Sequence, residues 1–287
     1  MSEAIKNRYD FVFLFDVKDG NPNGDPDQDN LPRVDAENQE GLVTDVCIKR
    51  KVRNYVELKY KKDAEEGKGN HLIFIRQGNV LATLIDKTKG TEIRDRQKTL
   101  CDNYWDIRTF GAVLSVGEKG AGTVRGPVQF TFSRSQDRIY QAEHTITRQA
   151  VTTEEEAKKQ ESREFASTMG RKSTVPYALY RMHGFVSAVD AIKTGFSEDD
   201  LNLLWDALIN AFEHDRSAAR GEMNPRKLVV FKHDSHLGNA RAGELFELVK
   251  VDRKGDAGQP PRAWSDYTVT VPAQAEMPMG ISVLEKI

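Results

Sequence analysis

The chain has 287 residues, of which 30% are charged and 38% hydrophobic, and its formal net charge is −2. This composition excludes a collagen-like or wholly disordered protein and suits one large domain or two small ones. No apolar run approaches the roughly 18 residues of a membrane span, and the N-terminus lacks the apolar stretch of a signal peptide. We therefore expect a soluble, cytoplasmic protein without a membrane contact. The two cysteines, Cys47 and Cys101, are far apart in sequence and predict neither a disulfide framework nor a zinc site.

The first predicted elements are a strand, a long loop and a helix. Tyr9 to Val17 is a run of apolar and aromatic residues typical of a strand, and the Gly, Pro, Asn and Asp residues from Asp19 to Asn30 predict a loop. Thr44 is a good helix N-cap, with Asp45 in the first turn, where the helix dipole favours an acid. Apolar residues then follow helical spacing at Ile48, Val52, Tyr55 and Val56.

The middle of the chain predicts two short strands, a helix and a mobile loop, at Leu72 to Ile75, Val80 to Ile85, Asp95 to Asp106 and Gly117 to Gly126. Val128, Phe130 and Phe132 alternate with polar residues, which predicts a half-buried strand. Ser135 to Thr174 is polar, charged and short of core residues, so we interpret it as a projecting insertion.

In the last part of the chain, the residues from Val175 to Val189 are again typical of a protein core. Ser197 and Asp200 form a capping-box pattern, and an amphipathic helix follows to Phe212. Further strands are predicted at Leu228 to Lys232, Leu245 to Val251 and Tyr267 to Val271. This order of elements indicates an α+β sandwich, ferredoxin-like or RRM-like, with long insertions.

The small net charge conceals an uneven distribution. Residues 1–45 carry four basic and eleven acidic side chains, a balance of −7, whereas residues 47–62 carry seven basic side chains and one acidic, a balance of +6. Lys49, Arg50 and Arg53 fall within about 100° of each other on the predicted helix. Such a cluster could hold consecutive phosphates of a nucleic acid, and a solvated helix face is the alternative interpretation.

The sequence gives weaker indications of a metal site or of catalysis. Asp25, Asp27 and Asp29 imitate the start of a calcium loop, but Asn30 stands where the turn glycine belongs and Ala36 where the bidentate Glu belongs. His233 and His236 lie close together without a further ligand at metal spacing. No P-loop, nucleophile elbow or HExxH motif is present. We predict no metal, no cofactor and no enzyme activity; a metal-dependent ribonuclease using the three aspartates is the alternative.

The motifs resemble those of one family over most of the chain length. They are YDFVFLFDV with the NPNGDPD loop, TDVCIKRKVR, DIRTFGAVLS, VRGPVQFTFS and HTITRQAV, in this order. Together they resemble the backbone subunit of the type I-C CRISPR Cascade surveillance complex, a member of the RAMP superfamily. The NPNGDP loop followed by the IKRKVR helix is the most specific part of the resemblance.

The resemblance implies an architecture and a set of partners. It implies one RRM-like palm domain over residues 1–287, with a helical finger insertion at 61–115 and a β-hairpin thumb insertion at 134–175. It further implies a non-catalytic subunit that oligomerises head to tail as a filament along CRISPR RNA. The guide then pairs with target DNA, so sequence specificity belongs to the guide. Other Cascade subunits, namely the large, small and guide-end-capping subunits, are implied as partners.

The resemblance also implies which residues contact RNA. Lys49, Arg50 and Arg53 would hold the guide backbone, and Asn21 and Asn23 lie in the loop that leads to them. Arg108 belongs to the DIRTFG motif. The implied residues of the thumb and its returning arm are His144, Arg148, Met169, Arg171 and Lys172.

Overall fold

The computed structural model describes residues 3–148, 150, 153–161, 168–255 and 258–287. Its strands are β1 (Tyr9–Gly20), β2 (Gly24–Asp25), β3 (Leu31–Pro32), β4 (Glu40–Val43), β5 (Gly111–Val113), β6 (Thr123–Arg125), β7 (Val128–Phe130), β8 (Ser133–Arg138), β9 (Ala142–Arg148), β10 (Thr168–Val186), β11 (Glu222–His233), β12 (Lys250–Arg253), β13 (Tyr267–Thr270) and β14 (Ile281–Glu285). Its α-helices are α1 (Asp45–Lys59), α2 (Lys61–Glu66), α3 (Leu81–Asp86), α4 (Ile93–Asn103), α5 (Trp105–Phe110), α6 (Glu154–Glu161), α7 (Ala188–Thr194), α8 (Glu198–Ile209) and α9 (Ala242–Leu248).

Eight of these strands form one large sheet in the order β14-β11-β1-β10-β8-β4, and β7 and β9 also pair with β10. The strand pairs of this sheet are antiparallel. Strand β1 lies in the middle and pairs with β10 from Tyr9–Val186 to Gly20–Val175. The expected α+β class and first strand are thus confirmed, and the strand runs to Gly20.

Both faces of β1 are buried, which explains its nearly continuous apolar sequence. Phe11, Phe13 and Phe15 face a core that they share with apolar residues of α1 and α8. Val12 and Leu14 face a second core beneath α9 and the β12–β13 hairpin. The central sheet is therefore covered by helices on one side and by α9 with a small hairpin on the other.

Residues 61–115, the expected finger, contain α2 to α5 and β5. Here Phe74, Ile85, Leu100 and Ile107 belong to a third, smaller core. The strand expected at Val80 to Ile85 is wrong, because these residues form α3, in which Ile85 is buried. The loop expected at Gly117 to Gly126 is shorter than predicted, because residues near its C-terminal end form β6, which pairs with β5.

Two expectations about the C-terminal part had different outcomes. The capping box is confirmed: Asp200 N donates to Ser197 Oγ at 3.3 Å, and Ser197 N donates to Asp200 Oδ2 at 3.0 Å. The strand expected from Leu245 is wrong, since residues up to Leu248 form α9 and the strand β12 begins only at Lys250. Leu245 and Phe246 are buried on one face of that helix.

The polar segment expected to project from residue 135 begins inside the sheet. Ser135 of β8 pairs with Tyr180 of β10, and Arg134 pairs with Leu42 of β4. The part beyond the sheet is a hairpin in which β9 pairs with the start of β10, from Ala142–Thr174 to Arg148–Thr168. Helix α6 lies between these two strands in the sequence.

At one edge of the sheet, a side chain forms hydrogen bonds with the outer backbone groups of β14. Gln274 Nε2 donates to Ile281 O at 2.8 Å, and Val283 N donates to Gln274 Oε1 at 2.9 Å. The amide of Gln274 therefore occupies one donor and one acceptor on the outer side of β14. Within the described residues, no helix combines the length and apolar character that crossing a bilayer requires.

Candidate nucleic-acid interface

The loop after β1 fixes the start of α1. Asn23 Oδ1 accepts hydrogen bonds from Thr44 N and Thr44 Oγ1, both at 2.9 Å. Thr44 Oγ1 in turn accepts from Cys47 N at 3.3 Å, which confirms Thr44 as the N-cap. Asn21 is buried, and its Nδ2 donates to Asn30 O at 2.7 Å. Asn23 thus ties the loop to the N-terminal end of the helix, whereas Asn21 joins two parts of the loop itself.

A groove of about 1530 Å³ runs along α1. The loop after β1 forms one side, and residues 73–77 form another. Gly111 and Phe132 also line it. Its basic lining residues are Arg33, Lys49, Arg50, Arg53, Arg76 and Arg220, and its one acidic lining residue is Glu57. The groove therefore gathers the predicted cations of α1 with three arginines from other parts of the chain.

Two of the three predicted α1 cations are largely buried. Arg53 Nε lies 2.8 Å from Asp106 Oδ2, and its guanidinium is 5.1 Å from the centre of the Phe110 ring. Lys49 Nζ lies 2.9 Å from Asp45 Oδ2 and 5.7 Å from the same ring centre. Their charges are therefore partly compensated by carboxylates before any nucleic acid binds.

Arg50 has a different environment. Its side chain is exposed, and Nη2 lies 3.4 Å from Gln77 Oε1, a long and weak hydrogen bond. No carboxylate forms an ion pair with Arg50 within the described part of the chain. Arg50 is therefore the α1 cation best placed to meet an anionic ligand in the groove.

Asp106 connects α1 to the opposite wall of the groove. Its buried carboxylate accepts hydrogen bonds from Phe74 N at 2.7 Å and Ile75 N at 3.0 Å, besides pairing with Arg53. Asp106 was not among the residues predicted from the sequence, although it stands in the DIRTFG motif. The sequence signal for Asp106 is a single acidic residue between two apolar ones, Trp105 and Ile107.

Lys51 lies below the groove surface, and Cys47 lines the groove while remaining half-buried. Lys51 belongs to the basic run of the sequence but is buried, where it pairs with Asp215 and lies over the ring of Phe212. Burial lowers the pKa of Lys51. Cys47 lines the groove, and burial raises the pKa of its thiol, so the thiol stays protonated at neutral pH. Neither residue is placed to act as a phosphate contact or a nucleophile.

Arg33 and Arg76 were also not predicted, because neither belongs to a cluster of basic residues in the sequence. Arg33 Nη1 lies 3.3 Å from Asp25 Oδ2, and Arg76 Nε lies 2.7 Å from Glu57 Oε1. Only the fold brings them to α1, so no local pattern could have identified them.

The acidic loop does not gather its carboxylates. Asp25 pairs with Arg33 and accepts from Asp27 N at 3.2 Å, and Asp29 ends a 3-10 turn. His233 is buried, with Nε2 2.9 Å from Asp10 Oδ2. Among the described residues, no three His, Cys, Asp or Glu side chains are grouped to hold a metal ion.

A smaller cavity of about 370 Å³ lies beside the groove, between the loop and the β9–β10 hairpin. Asn21, Arg171 and Lys172 line it, and Asn30 lines both the cavity and the groove. His144 lies on the hairpin with Nε2 3.2 Å from Thr174 Oγ1. The side chains of two further predicted residues, Arg148 and Met169, lie outside the described part of the structure.

Arg108 is placed away from the groove, and its prediction as an RNA contact is corrected. The residue is 5% exposed, and its Nε and Nη2 donate to the two carboxylate oxygens of Asp200 at 3.0 and 2.8 Å. Its Nη1 donates to the carbonyl oxygens of Asn70 and Cys101. Four of its five N–H groups thus have acceptors, and the pairing with Asp200 joins α5 to α8.

Comparison with known proteins finds relatives of this chain. CRISPR-associated protein Cas7 of Haloferax volcanii is 25% identical over 288 aligned residues, which cover 92% of this chain and 81% of the relative. A solved chain from a CRISPR RNA-guided surveillance complex is similar with a TM-score of 0.46 and 13% identity, covering 78% of this chain and 68% of that one. Another, from such a complex in a pre-nicking state, has a TM-score of 0.48 and 15% identity, covering 78% of both chains. Residues 7–272 match the family model described as CRISPR-associated protein Cas7, and the chain therefore belongs to the Cas7 family.

Proposed function

We propose that this Cas7 family member is a backbone subunit of a CRISPR RNA-guided surveillance complex and binds CRISPR RNA in the groove along α1. The observation that carries the proposal is the exposed Arg50 in a groove with five further basic residues and one acidic residue. Such a lining suits a chain of phosphates, because each neutralised phosphate releases counterions into solution. Family membership supports the same ligand.

The architecture part of the proposal is an RRM-like palm with two insertions. The sheet order β11-β1-β10-β8, with α1 and α8 on one face, supports this interpretation. The finger would comprise residues 61–115 and the thumb residues 134–175. The type I-C assignment rests on the sequence motifs, chiefly the NPNGDP loop and the IKRKVR helix.

The assembly part of the proposal is a head-to-tail filament of identical copies along one CRISPR RNA in the cytoplasm. The guide bases would pair with target DNA, and the large, small and guide-end-capping subunits of Cascade would complete the complex. We propose that the chain itself is not an enzyme. A metal-dependent ribonuclease that uses Asp25, Asp27 and Asp29 is the alternative, and the pairing of Asp25 with Arg33 argues against it.

Mass photometry of the purified chain with single-stranded RNAs of increasing length tests the proposal. We expect copies to add in steps with RNA length, with intact RNA recovered both with and without magnesium. One bound copy regardless of length would contradict the filament. RNA shortening only in the presence of magnesium would instead support the ribonuclease.

A further inference from the structure

The exposed ring of Phe132 lies in the basic groove. Its side chain is 52% exposed, and the ring lines the groove together with Arg50 and Phe110. Among the described residues, the other aromatic side chain that is similarly exposed is Tyr140, which does not line the groove. The sequence pattern predicted Phe132 on the buried side of a strand with Val128 and Phe130, so its exposure needs a structural cause.

The cause is an extra residue between β7 and β8. Gly184 of β10 pairs with Phe130, and Arg181 pairs with Arg134. Gly184 and Arg181 are three residues apart along β10, whereas their partners are four residues apart along the neighbouring segment. One extra residue in one of two paired strands is the pattern of a β-bulge. Bulges redirect a side chain away from the regular alternation of the strand.

Hydrogen bonds identify Phe132 as the extra residue. Thr131 takes the position opposite His183, because Thr131 N donates to His183 O at 2.9 Å and His183 N donates to Thr131 Oγ1 at 3.1 Å. Ser133 is buried again at the start of β8. Phe132 is therefore held between two residues that the sheet fixes, and its ring is presented to the groove by the backbone.

The surroundings of the ring combine charge with apolar surface. Arg50 supplies an exposed cation, and Val46 and Ile75 are exposed apolar residues that line the same groove. Proteins that bind unpaired nucleic acid combine a basic groove with aromatic rings on which bases stack. A base inside a duplex is already stacked on both faces and could not use such a ring.

We infer that Phe132 is a stacking platform for one unpaired base of the bound RNA, and that it gives the groove a preference for purines over pyrimidines at that nucleotide. The inference rests on the proposed function, since it concerns the same groove. The phosphate contacts of Arg50 would supply affinity independent of sequence, whereas Phe132 would respond to the presence and size of the base. Purines offer the larger surface for stacking, which sets the direction of the preference.

The test is equilibrium binding by fluorescence anisotropy with three single-stranded probes of equal length: oligoadenylate, oligouridylate and an abasic ribose-phosphate oligomer. For the wild type we expect affinity to fall in that order. Phe132→Ala should lose about 10- to 100-fold for oligoadenylate, less for oligouridylate, and nothing for the abasic oligomer. Phe132→Tyr should retain binding, whereas Phe132→Leu, which keeps the apolar character, should behave like the alanine variant.

Controls separate this inference from the proposed function. Leu237→Ala removes an apolar side chain that is 68% exposed and outside the groove, and should change no affinity. Equal losses on the abasic and adenylate probes, or no loss for Phe132→Ala, would overturn the stacking role while leaving RNA binding in place. Failure of the wild type to bind any probe would instead overturn the proposed function. Unchanged melting temperatures of the variants would show that the changes in affinity do not arise from unfolding.

Discussion

Arg50 and Arg53 lie about one turn apart on α1, yet their side chains meet different surroundings. Arg53 is tied to the buried carboxylate of Asp106, which also holds two backbone amides of the opposite groove wall. Arg50 is exposed and makes one long hydrogen bond to Gln77. Arg53 is therefore placed to shape the groove, whereas Arg50 is placed to contact what the groove binds.

This difference predicts separable effects of two alanine substitutions. Arg50→Ala should weaken RNA binding and reduce the slope of log affinity against log salt by about one, with an unchanged melting temperature. Arg53→Ala should lower the free energy of unfolding by about 3 kcal/mol, because it leaves the buried Asp106 carboxylate without its cation. Salt titrations and chemical denaturation measure the two effects. Equal stability losses in both variants would contradict the distinction.

At the scale of elements, β10 serves both faces of the sheet. Tyr180 and Met182 point into the core beneath α1 and α8. On the other face, the His183 ring stacks on Phe246 with ring centres 4.1 Å apart, and Arg181 Nε donates to His183 Nε2 at 2.9 Å. Desolvation, with a contribution from Arg181, lowers the pKa of His183 to about 4. The imidazole accepts from Arg181 only while it is neutral.

The depressed pKa predicts an acid-sensitive contribution to stability. Between the ordinary pKa of 6.5 and the folded value of about 4, the unfolded chain binds a proton at this histidine and the folded chain does not. The free energy of unfolding should therefore fall as pH falls from 6.5 to 4. His183→Gln, which keeps an acceptor for Arg181, should show a smaller fall in melting temperature over this window. Parallel curves for the two proteins would contradict the assignment.

Local signals account for the elements that the sequence predicted correctly. The apolar run of β1, the Thr44 cap and the Ser197–Asp200 box depend on neighbouring residues, and each is present in the structure. Helices α3 and α9 were mistaken for strands because a short apolar run is compatible with either structure. Their type is decided by the buried surface they pack against, as for Phe246 on the second core.

The residues of the candidate site also include some that local sequence predicts and others whose position depends on distant contacts. The helical repeat alone placed Lys49, Arg50 and Arg53 together, and all three line one groove. It could not reveal that Arg108 meets Asp200, a partner 92 positions away in sequence, in the interior. The exposure of Phe132 likewise depends on its register with β10, a distant strand.

At the scale of the whole molecule, the β9–β10 hairpin is attached to the sheet at one end. Asp137 of β8 anchors that end, since Tyr267 Oη donates to Asp137 Oδ2 at 2.5 Å and Arg253 Nη1 lies 3.1 Å from Oδ1. Ala142 and Thr174 are paired across the base of the hairpin. A two-residue turn can therefore join them without disturbing β8.

Replacing residues 143–173 by Asn-Gly should leave a folded protein that binds RNA but no longer adds in steps along it. The groove along α1 stays complete, whereas the hairpin, which we propose as the part of the thumb that contacts the next copy, is gone. Mass photometry with long RNAs and a melting curve measure the two properties. The double variant Thr145→Ala/Thr147→Ala is the matched control, because it changes two exposed hairpin side chains outside the predicted RNA contacts, keeps the hairpin length and should still assemble. Stepwise assembly of the shortened protein would contradict the proposed thumb.

The side chain of Gln274 has a consequence for the proposed filament, in which many copies would lie side by side. It engages Ile281 O and Val283 N on the outer side of β14, two of the groups that an added strand would use for pairing. An open edge at high local concentration recruits strands of other molecules and leads to aggregation. In the proposed filament, the hydrogen bonds of Gln274 would disfavour strand pairing between the β14 edges of crowded copies, and each copy would remain a separate unit whose position the nucleic acid determines.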